Sequence, residues 1–499
     1  MEGRSRNSLV LLIVVVGLTT LSYVGNFYSP AEAMEDRPNI LFILTDDLAY
    51  ADIAMMPNLQ RLLVATGTSF DHYYASYAAC CPSRASLLRG QYAHNTGVKN
   101  NSGVNGGYAA ALANKIENST VATWLHDAGY RTGYIGKYLN GYPEGQSPTY
   151  IPPGWDQWYS AVAGTPYNEY NYTLNENGQL VEYGSGLSDY GTDVYIGKAE
   201  SFIATAASST QPFFLHLNLY PPHQPAIPSE QDKNLFPNAQ VPRTPSFNEP
   251  DISDKPAWVR NLPLLNATKI ASGDKLYADR LRTLQAVDRG IERLITTLEV
   301  RNVLANTYIV FSSDNGFHIG QHRLWPPTKV TAYEVDIHLP LIIRGPNVKP
   351  SAKVSALVGD IDIAPTLATL AGVTPPSFVD GRSFASLLGN TKLVWPRRSY
   401  LLHHWRVQPL NNPLTWIDHI MLALDPAPDF HGIRTDRYTY VYYPATAERE
   451  LYDNVADPEQ LTNLAATRPD LVAPLHWAFA KLLGCKAEKC RTVENQPIF

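Results

Sequence analysis

Residues 80–90 read Cys-Cys-Pro-Ser-Arg-Ala-Ser-Leu-Leu-Arg-Gly, a stretch of the form C-x-P-S-R-x-x-L-L-x-G. Its two cysteines are adjacent in the chain and cannot easily bridge each other. One explanation is an ordinary strand-to-helix turn that buries two thiols, since short motifs also match by chance. The other is that Cys80 carries chemistry. The segments on either side of this stretch decide between them.

Strands and helices alternate on both sides of the stretch. Residues 38–44 form a continuous apolar run, which is typical of a strand buried on both faces. Apolar residues recur at helical spacing from Leu276 to Leu298 and predict a long amphipathic helix. Further strands are predicted at 131–135, 212–219, 307–311 and 339–343, and further helices at 121–128 and 361–370. The alternation predicts an α/β fold, with a mostly parallel central sheet flanked by helices.

Three regions fall outside this alternation. Residues 138–190 are rich in Tyr, Gly, Asn and Pro, and residues 221–265 are rich in Pro and polar residues. Both look like insertions rather than sheet. A smaller C-terminal region begins near residue 385, and its segments 432–440 and 450–453 are predicted to form strands of a small antiparallel sheet.

Carboxylates and an amide follow two of the predicted strands. Asp46 and Asp47 come directly after the first strand, and Asp314 and Asn315 follow a later one. In parallel sheets, sites form at the carboxyl ends of strands. Carboxylate and amide oxygens are hard ligands that suit Ca²⁺ or Mg²⁺. Each pair alone is more often a cap or a turn, so a metal site is indicated only by the two pairs together.

The stretch at 80–90 resembles the signature of type I sulfatases, in which the first cysteine is oxidised after synthesis to formylglycine. The resemblance implies that Cys80 is converted and that Cys81 occupies the variable position. An unmodified thiol would be trapped as a stable thiosulfate. An aldehyde hydrate offers one hydroxyl to attack sulfur and a second to expel sulfate. Arg84 would hold that hydrate and offset anionic charge.

The same resemblance implies a metal ion that orients the hydrate and neutralises a sulfate oxygen. Ca²⁺ is the expected ion, and Mg²⁺ is the alternative. The implied ligands are Asp46, Asp47, Asp314, Asn315 and an oxygen of the modified Cys80.

Three further segments match the family in chain order. Gly136-Lys137-Tyr138 resembles the segment whose Lys contacts sulfate, and the segment 221–225 resembles the one whose His, here His223, hydrogen-bonds the ester oxygen. Lys329 resembles the second sulfate-binding Lys. A lone Lys or His is by default a solvated surface residue, but these three lie within longer matched segments. His318 follows the Asp-Asn-Gly turn and is a candidate for the cleft.

One position departs from the family pattern. Many sulfatases carry a His two residues after the first sulfate-binding Lys, as a base for sulfate elimination. This chain has Leu139 at that position. The base is therefore open between His318 and a metal-bound water.

The resemblance is most specific to N-acetylglucosamine-6-sulfatases and related arylsulfatases. It covers most of residues 37–390 and includes the doubled Cys and the segments 136–142, 170–174 and 313–318. It implies an alkaline-phosphatase-like fold and hydrolysis of a sugar 6-sulfate or an aryl sulfate through a sulfoenzyme intermediate. A formylglycine-generating enzyme would be the partner during maturation.

The N-terminus has the layout of a secretory signal peptide. Arg4 and Arg6 precede an apolar run from residue 9 to about residue 24, followed by the cleavage-like Ala31-Glu32-Ala33. The run is short for a membrane span, so no membrane association is expected after cleavage; a retained signal anchor is the alternative. The expected organisation is a signal peptide at 1–33, a catalytic domain at 34–384 and a C-terminal subdomain at 385–499.

Export to the exterior, the lysosome or the periplasm fits the remaining features. Cys485 and Cys490 could close a small disulfide loop after export. In a eukaryote, glycan acceptors would be Asn100, Asn118, Asn171 and Asn266. The net charge is −6 without a basic stripe, so no nucleic-acid partner is expected.

Two other functions remain open. A phosphatase or phosphodiesterase of the same superfamily would share the metal framework, but it would use Ser or Thr where this chain has Cys80. A catalytically silent glycan-binding protein would stack sugars on aromatic residues, although most of these are expected to pack internally. The candidates for stacking are Tyr150, Trp155, Trp158, Tyr159, Tyr167, Tyr170 and Tyr172.

Overall fold

The computed structural model describes residues 1–3, 37–407 and 427–499. The predicted signal peptide therefore lies outside the described residues, apart from its first three. Within the described ranges, no helix combines the length and the apolar character that crossing a membrane requires. The boundary between domains near residue 384 stays a prediction.

Strands and helices alternate as predicted over most of the chain. The strands are β1 (Asn39–Thr45), β2 (Thr68–Phe70), β3 (Tyr73–Tyr74), β4 (Arg131–Gly136), β5 (Gln157–Gly164), β6 (Tyr172–Glu176), β7 (Gln179–Tyr183), β8 (Phe213–Asn218), β9 (Thr307–Ser313), β10 (Leu341–Arg344), β11 (Ala352–Val354), β12 (Val358–Gly359), β13 (Tyr400–His404), β14 (Phe430–Arg434), β15 (Tyr438–Tyr442) and β16 (Arg449–Asp453). The α-helices of four or more residues are α1 (Cys80–Arg89), α2 (Ala93–Thr96), α3 (Gly107–Ala113), α4 (Val121–Asp127), α5 (Gly191–Ala206), α6 (Ala257–Arg260), α7 (Ala267–Val300), α8 (Glu334–Ile337), α9 (Ile363–Leu370), α10 (Ala385–Gly389), α11 (Pro469–Leu482) and α12 (Glu488–Glu494).

Ten strands form one sheet in the order β11-β2-β10-β9-β1-β8-β4-β5-β6-β7. Its five central strands, from β9 to β5, are parallel, which confirms the predicted parallel core. Strand β10 runs antiparallel to β9, and β6 and β7 are antiparallel as well. A parallel neighbour needs a crossover connection, and the chain between β9 and β10 contains only the four-residue helix α8. The sheet is therefore mixed at both edges.

The expectation that 138–190 is insertion rather than sheet is wrong. Strands β5, β6 and β7 lie in this region and extend the central sheet. The β6–β7 hairpin turns at Asn177 and Gly178, both with positive φ (+52° and +89°). An Asn-Gly pair between two segments of alternating apolar and polar residues strongly predicts a hairpin. The many Gly, Asn and Pro residues of this region favoured loops instead, so the hairpin was not predicted. In 221–265, by contrast, the structure has no strand and one short helix, α6, as expected.

The C-terminal region folds as predicted. Strands β13 to β16 form a four-stranded antiparallel sheet in chain order, and helix α11 packs on it. This sheet shares one apolar cluster with Tyr74 and Tyr92, which belong to the main part of the chain. The predicted disulfide between Cys485 and Cys490 is present. Of the four sequons, only Asn100 is buried, and its amide donates to the Trp405 carbonyl.

Two helical layers cover the central sheet and so fix where the site lies. Alternate residues of β1 face opposite layers: Phe42 packs in the cluster that includes helix α1, and Ile43 packs in the cluster that includes helix α7. All seven residues of β1 are buried, as its continuous apolar run predicts. The loops after β1 and β9 leave this sheet at the same edge, and helix α1 begins there.

Candidate active site

The stretch at 80–90 forms helix α1, which begins at Cys80. Leu87 and Leu88 are 2% and 3% exposed and anchor the helix in the core beneath the sheet. Gly90 ends the helix with φ +70°, and its N–H donates to the Ser86 carbonyl. A Cβ at this position would lie 2.8 Å from Val379 Cγ1. The leucines and the glycine of the motif therefore hold Cys80 in place.

Cys80 is buried among charged groups. Its Sγ lies 3.3 Å from Asp46 Oδ1 and 2.8 Å from Lys329 Nζ. Burial raises the pKa of the thiol to about 12, and the negative charge of Asp46 acts in the same direction. An unmodified Cys80 is therefore a neutral thiol at physiological pH.

Arg84 lies one helical turn after Cys80 and connects three parts of the site. Its Nε donates to Asp314 Oδ2 at 2.8 Å, and its Nη1 donates to the Lys137 carbonyl at 2.9 Å. Burial alone would lower the pKa of Arg84, but the carboxylates of Asp314 and Asp46 outweigh it and raise the pKa. Nη2 has no hydrogen-bond partner among the described residues, so it is available to an anion.

Two lysines pair with the first carboxylates. Lys137 contacts Asp46, and Lys329 contacts Asp47. Burial alone would lower both lysine pKa values, but the carboxylates outweigh it and raise them. Lys137 reaches this place because Gly136 has φ +104°, and a Cβ there would lie 1.8 Å from the Asn218 carbonyl oxygen.

His223 is the more open member of the group, with its side chain 20% exposed. Its Nε2 lies 3.6 Å from Asp47 Oδ2, and its Nδ1 donates to the Gln224 carbonyl at 2.5 Å. Because Nδ1 holds its proton there, Nε2 can donate only when the ring is an imidazolium. Burial lowers the pKa of His223, and the opposing charges of Asp47 and Asp46 do not fully offset it.

The predicted metal ligands converge. One ligand atom each from Asp46, Asp47, Cys80 and His223 lies within 4.8 Å of the others. Asp314 joins them, because its Oδ1 accepts from the Asp47 backbone N–H at 3.2 Å. Asn315 donates to Asp47 Oδ1 at 2.7 Å, whereas its buried Oδ1 has no hydrogen-bond partner among the described residues. Three carboxylates and an amide oxygen without a partner fit a hard divalent cation.

The fixed charges of this group balance. The carboxylates of Asp46, Asp47 and Asp314 face the cations of Lys137, Lys329 and Arg84. Burial alone would raise the pKa values of Asp46 and Asp47, but Lys137 and Lys329 outweigh it, so the pKa of Asp46 falls to about 2 and that of Asp47 is also lowered. A bound divalent cation would make the group net positive, which favours an anionic substrate.

His318 is fully buried and apart from this group. Its Nδ1 lies 2.9 Å from Asp336 Oδ2, and its backbone pairs with Thr328, the neighbour of Lys329. Among the described residues, its Nε2 has no hydrogen-bond partner, and its side chain forms no hydrogen bond or ion pair with the carboxylates and cations around Cys80. A role for His318 as the elimination base stays a prediction.

Two contributors were not predicted from the sequence. Arg280 of α7 donates from Nη1 to the Pro222 carbonyl at 2.9 Å and from Nη2 to the Asp47 carbonyl at 2.5 Å. The sequence did contain a signal for Arg280, because this charged residue lies four residues before Leu284 on the buried face of an amphipathic helix. Tyr167, which the sequence offers only as a candidate for stacking, contacts both Lys137 and His223. Its position offered no signal for that contact.

Comparison with known proteins agrees with this geometry. The family model described as Sulfatase matches residues 38–373, and the model described as N-sulphoglucosamine sulphohydrolase, C-terminal, matches residues 320–478. N-acetylglucosamine-6-sulfatase of Capra hircus is 34% identical over 490 residues, which covers 91% of this chain and 85% of that protein.

Two further relatives extend the comparison. A protein of Caenorhabditis elegans named as an extracellular sulfatase homologue is 34% identical over 435 residues, and the match covers 86% of this chain but only 57% of that protein. A protein solved in complex with its substrate D-glucosamine-2-N,6-O-disulfate has a TM-score of 0.74 at 25% identity, with 91% and 98% of the two chains covered. Because the Sulfatase model matches more than half of the chain, this protein belongs to the sulfatase family.

Proposed function

We propose that the protein hydrolyses sulfate esters, with sugar 6-sulfates as the substrate class, after oxidation of Cys80 to formylglycine. The observation that carries the proposal is the place of Cys80: its buried Sγ lies 3.3 Å from Asp46 Oδ1 and 2.8 Å from Lys329 Nζ, among the carboxylates and cations that could hold a metal ion and a sulfate group. A neutral thiol is a poor nucleophile, so this position suits catalysis only after modification. The names of the goat relative and of the solved complex support the choice of sulfated sugars.

The residues around Cys80 can hold a sulfate group. Lys329 Nζ lies 2.8 Å from Cys80 Sγ, and Lys137, at the end of β4, contacts Asp46, whose Oδ1 lies 3.3 Å from the same sulfur. Arg84 presents Nη2, which lies 4.0 Å from Asp46 Oδ2 and has no hydrogen-bond partner among the described residues. Lysine and arginine cations fixed before the substrate arrives stabilise anionic oxygen without reorganisation. His223 lies on the more open side, where the leaving group would be placed.

Two groups would complete the site. An aldehyde hydrate at position 80 would supply a hydroxyl nucleophile and a second hydroxyl whose collapse frees the enzyme. A divalent cation, proposed to be Ca²⁺, would be held by Asp46, Asp47, Asp314 and Asn315 and would add positive charge beside the sulfate.

Maturation and location follow from the same proposal. Cys80 is 1% exposed, so a formylglycine-generating enzyme would have to reach the segment 80–90 before it folds. The predicted signal peptide and the disulfide between Cys485 and Cys490 support export to an oxidising compartment.

Mass spectrometry of the tryptic peptide that contains Cys80 tests the proposal together with an assay on sulfated sugars, aryl sulfates and phosphate esters. We expect the aldehyde at position 80 and hydrolysis of sugar 6-sulfates. An unmodified thiol in protein made by its own host would contradict the proposal. Turnover of phosphate esters in preference to sulfate esters would favour the phosphatase alternative.

His223→Ala should slow sugar sulfates more than aryl sulfates. Its imidazolium Nε2 can protonate an alkoxide leaving group, and general acid catalysis contributes about 10²–10⁴-fold. An aryl oxide departs without protonation, so its rate depends less on the donor. The measurement is kcat on both substrate types, with the half-exposed His126→Ala as a control that should change neither. An equal fall for both substrates would make His223 a binding residue.

A further inference from the structure

The ring of Tyr167 lies beside two groups of the candidate active site. Lys137 Nζ lies over the ring at 5.1 Å from its centroid, and the His223 ring centroid is 4.5 Å away. Lys137 follows strand β4 and His223 follows strand β8, so Tyr167 contacts residues from two different loops. The residue itself lies in the short turn Pro166–Asn168 after β5.

The ring of Tyr167 has a fixed position. It meets the ring of Tyr220 edge to face, with centroids 5.0 Å apart, and Tyr220 is only 5% exposed. Strand β5, which leads into the turn, is a hydrogen-bonded member of the central sheet. An aromatic side chain held in this way loses little conformational freedom when a ligand binds.

The candidate active site is closed to solvent around Cys80 and more open around Tyr167. Cys80 and Asp46 are 1% and 0% exposed, whereas the His223 side chain is 20% exposed and Tyr167 is half-buried. A sulfate ester would therefore enter with its sulfate towards Cys80 and its leaving group towards His223 and Tyr167. Aromatic rings offer an apolar face of the kind that packs on the C–H face of a sugar.

We propose that Tyr167 is a substrate-contacting residue whose ring packs against the leaving group of the sulfate ester and thereby selects for a sugar ring. The inference rests on the proposed function, because it presupposes a sulfate ester at this site. The sequence left seven aromatic residues as candidates for stacking on a sugar. The proposal assigns that role to Tyr167. Of those seven, Trp158 and Tyr172 are 0% and 2% exposed and pack in the core.

The test compares Tyr167→Ala, Tyr167→Leu and Tyr167→Phe with the wild type. The sugar sulfate KM and the inhibition constant of inorganic sulfate, which has no leaving group, are measured for each. We expect Tyr167→Ala and Tyr167→Leu to raise KM about three- to tenfold, within the range for an aromatic contact, and to leave the sulfate inhibition constant unchanged. Tyr167→Phe should keep the wild-type KM, because it keeps the ring.

Tyr159→Ala is the matched control, since Tyr159 is a half-buried tyrosine on β5 whose ring lies under Lys198, 5.2 Å from its Nζ. It should leave both constants unchanged. Equal rises in KM and in the sulfate inhibition constant would overturn the proposal, because Tyr167 would then only position Lys137 and His223. An unchanged KM in Tyr167→Ala would overturn it as well. Failure of the proposed function can be told apart from failure of the Tyr167 proposal. In that case the wild type itself would not hydrolyse sulfate esters.

Discussion

Cys80→Ala should lower kcat for sulfate esters by a factor on the order of 10⁴ or more, because removal of a nucleophile leaves only binding and electrostatic effects. The change removes one sulfur atom from a site that is already polar, so the fold should persist. Activity and circular dichroism of the purified variant check the two parts of this expectation.

Cys81→Ala is the matched control for that experiment. Cys81 is 0% exposed and packs in the apolar cluster beneath the sheet, and it lies next to Cys80 in the chain. Its truncation should cost about 1 kcal/mol of stability and leave formylglycine formation and turnover within a few-fold of the wild type. Substantial sulfatase activity in Cys80→Ala would place the nucleophile elsewhere. Equal losses in both variants would indicate a structural pair of thiols.

Asp314→Ala should destabilise the fold and abolish the response to metal. The Asp314 carboxylate is 0% exposed and pairs with the buried Arg84 at 2.8 Å. Its removal leaves the buried guanidinium with Asp46, 4.0 Å from Nη2, as the remaining ion-pair partner, and loss of one partner of a buried pair costs up to about 3–5 kcal/mol. Denaturant unfolding measures that cost. The metal response is read as the rise in melting temperature on addition of Ca²⁺ to chelated protein, with activity measured in parallel.

Two comparisons make the Asp314 result specific. Glu292→Ala removes one partner of the exposed pair with Arg61 and should cost less than about 1 kcal/mol. Asp314→Asn keeps the volume of the side chain and should fold better than Asp314→Ala, yet it should still lose most of the stabilisation by Ca²⁺. Wild-type activity that survived exhaustive chelation would contradict a catalytic metal.

The residues of the site that the sequence reveals are those carried by short contiguous segments. Asp46 and Asp47 follow an apolar run that is typical of a buried strand, and Cys80 and Arg84 share one helix. Their proximity follows from strand ends that meet at one edge of a sheet. Arg280 acts through a contact with Asp47, 233 positions away in the chain, and Tyr167 through contacts with Lys137 and His223, which lie in two other loops; no local pattern encodes these contacts.

The fold was predictable to a similar extent. The parallel core follows from buried apolar runs and an amphipathic helix, because each places its whole pattern in one segment. The antiparallel edges depend on how the chain returns to the sheet. Strand β10 has the composition of a central strand, yet it runs antiparallel to β9, because the connection before it lacks a helix long enough for a crossover. In the hairpin of β6 and β7, the local signal was present at Asn177 and Gly178 but was outweighed by composition.

Because of Arg280, the central sheet also determines how two parts of the candidate site lie relative to each other. The helix that supplies Cys80 lies on one face of the sheet, and helix α7, which supplies Arg280, lies on the other. Since Arg280 donates to the carbonyl oxygens of Asp47 and Pro222, the loops that carry Asp47 and His223 are tethered to the layer opposite the helix of Cys80. The sheet between the two helices therefore sets the distance between Cys80 and the loops that carry Asp47 and His223. Strand β1, which leads directly into Asp46 and Asp47, contributes to that distance through side chains such as Phe42 and Ile43, which pack against the two helical layers.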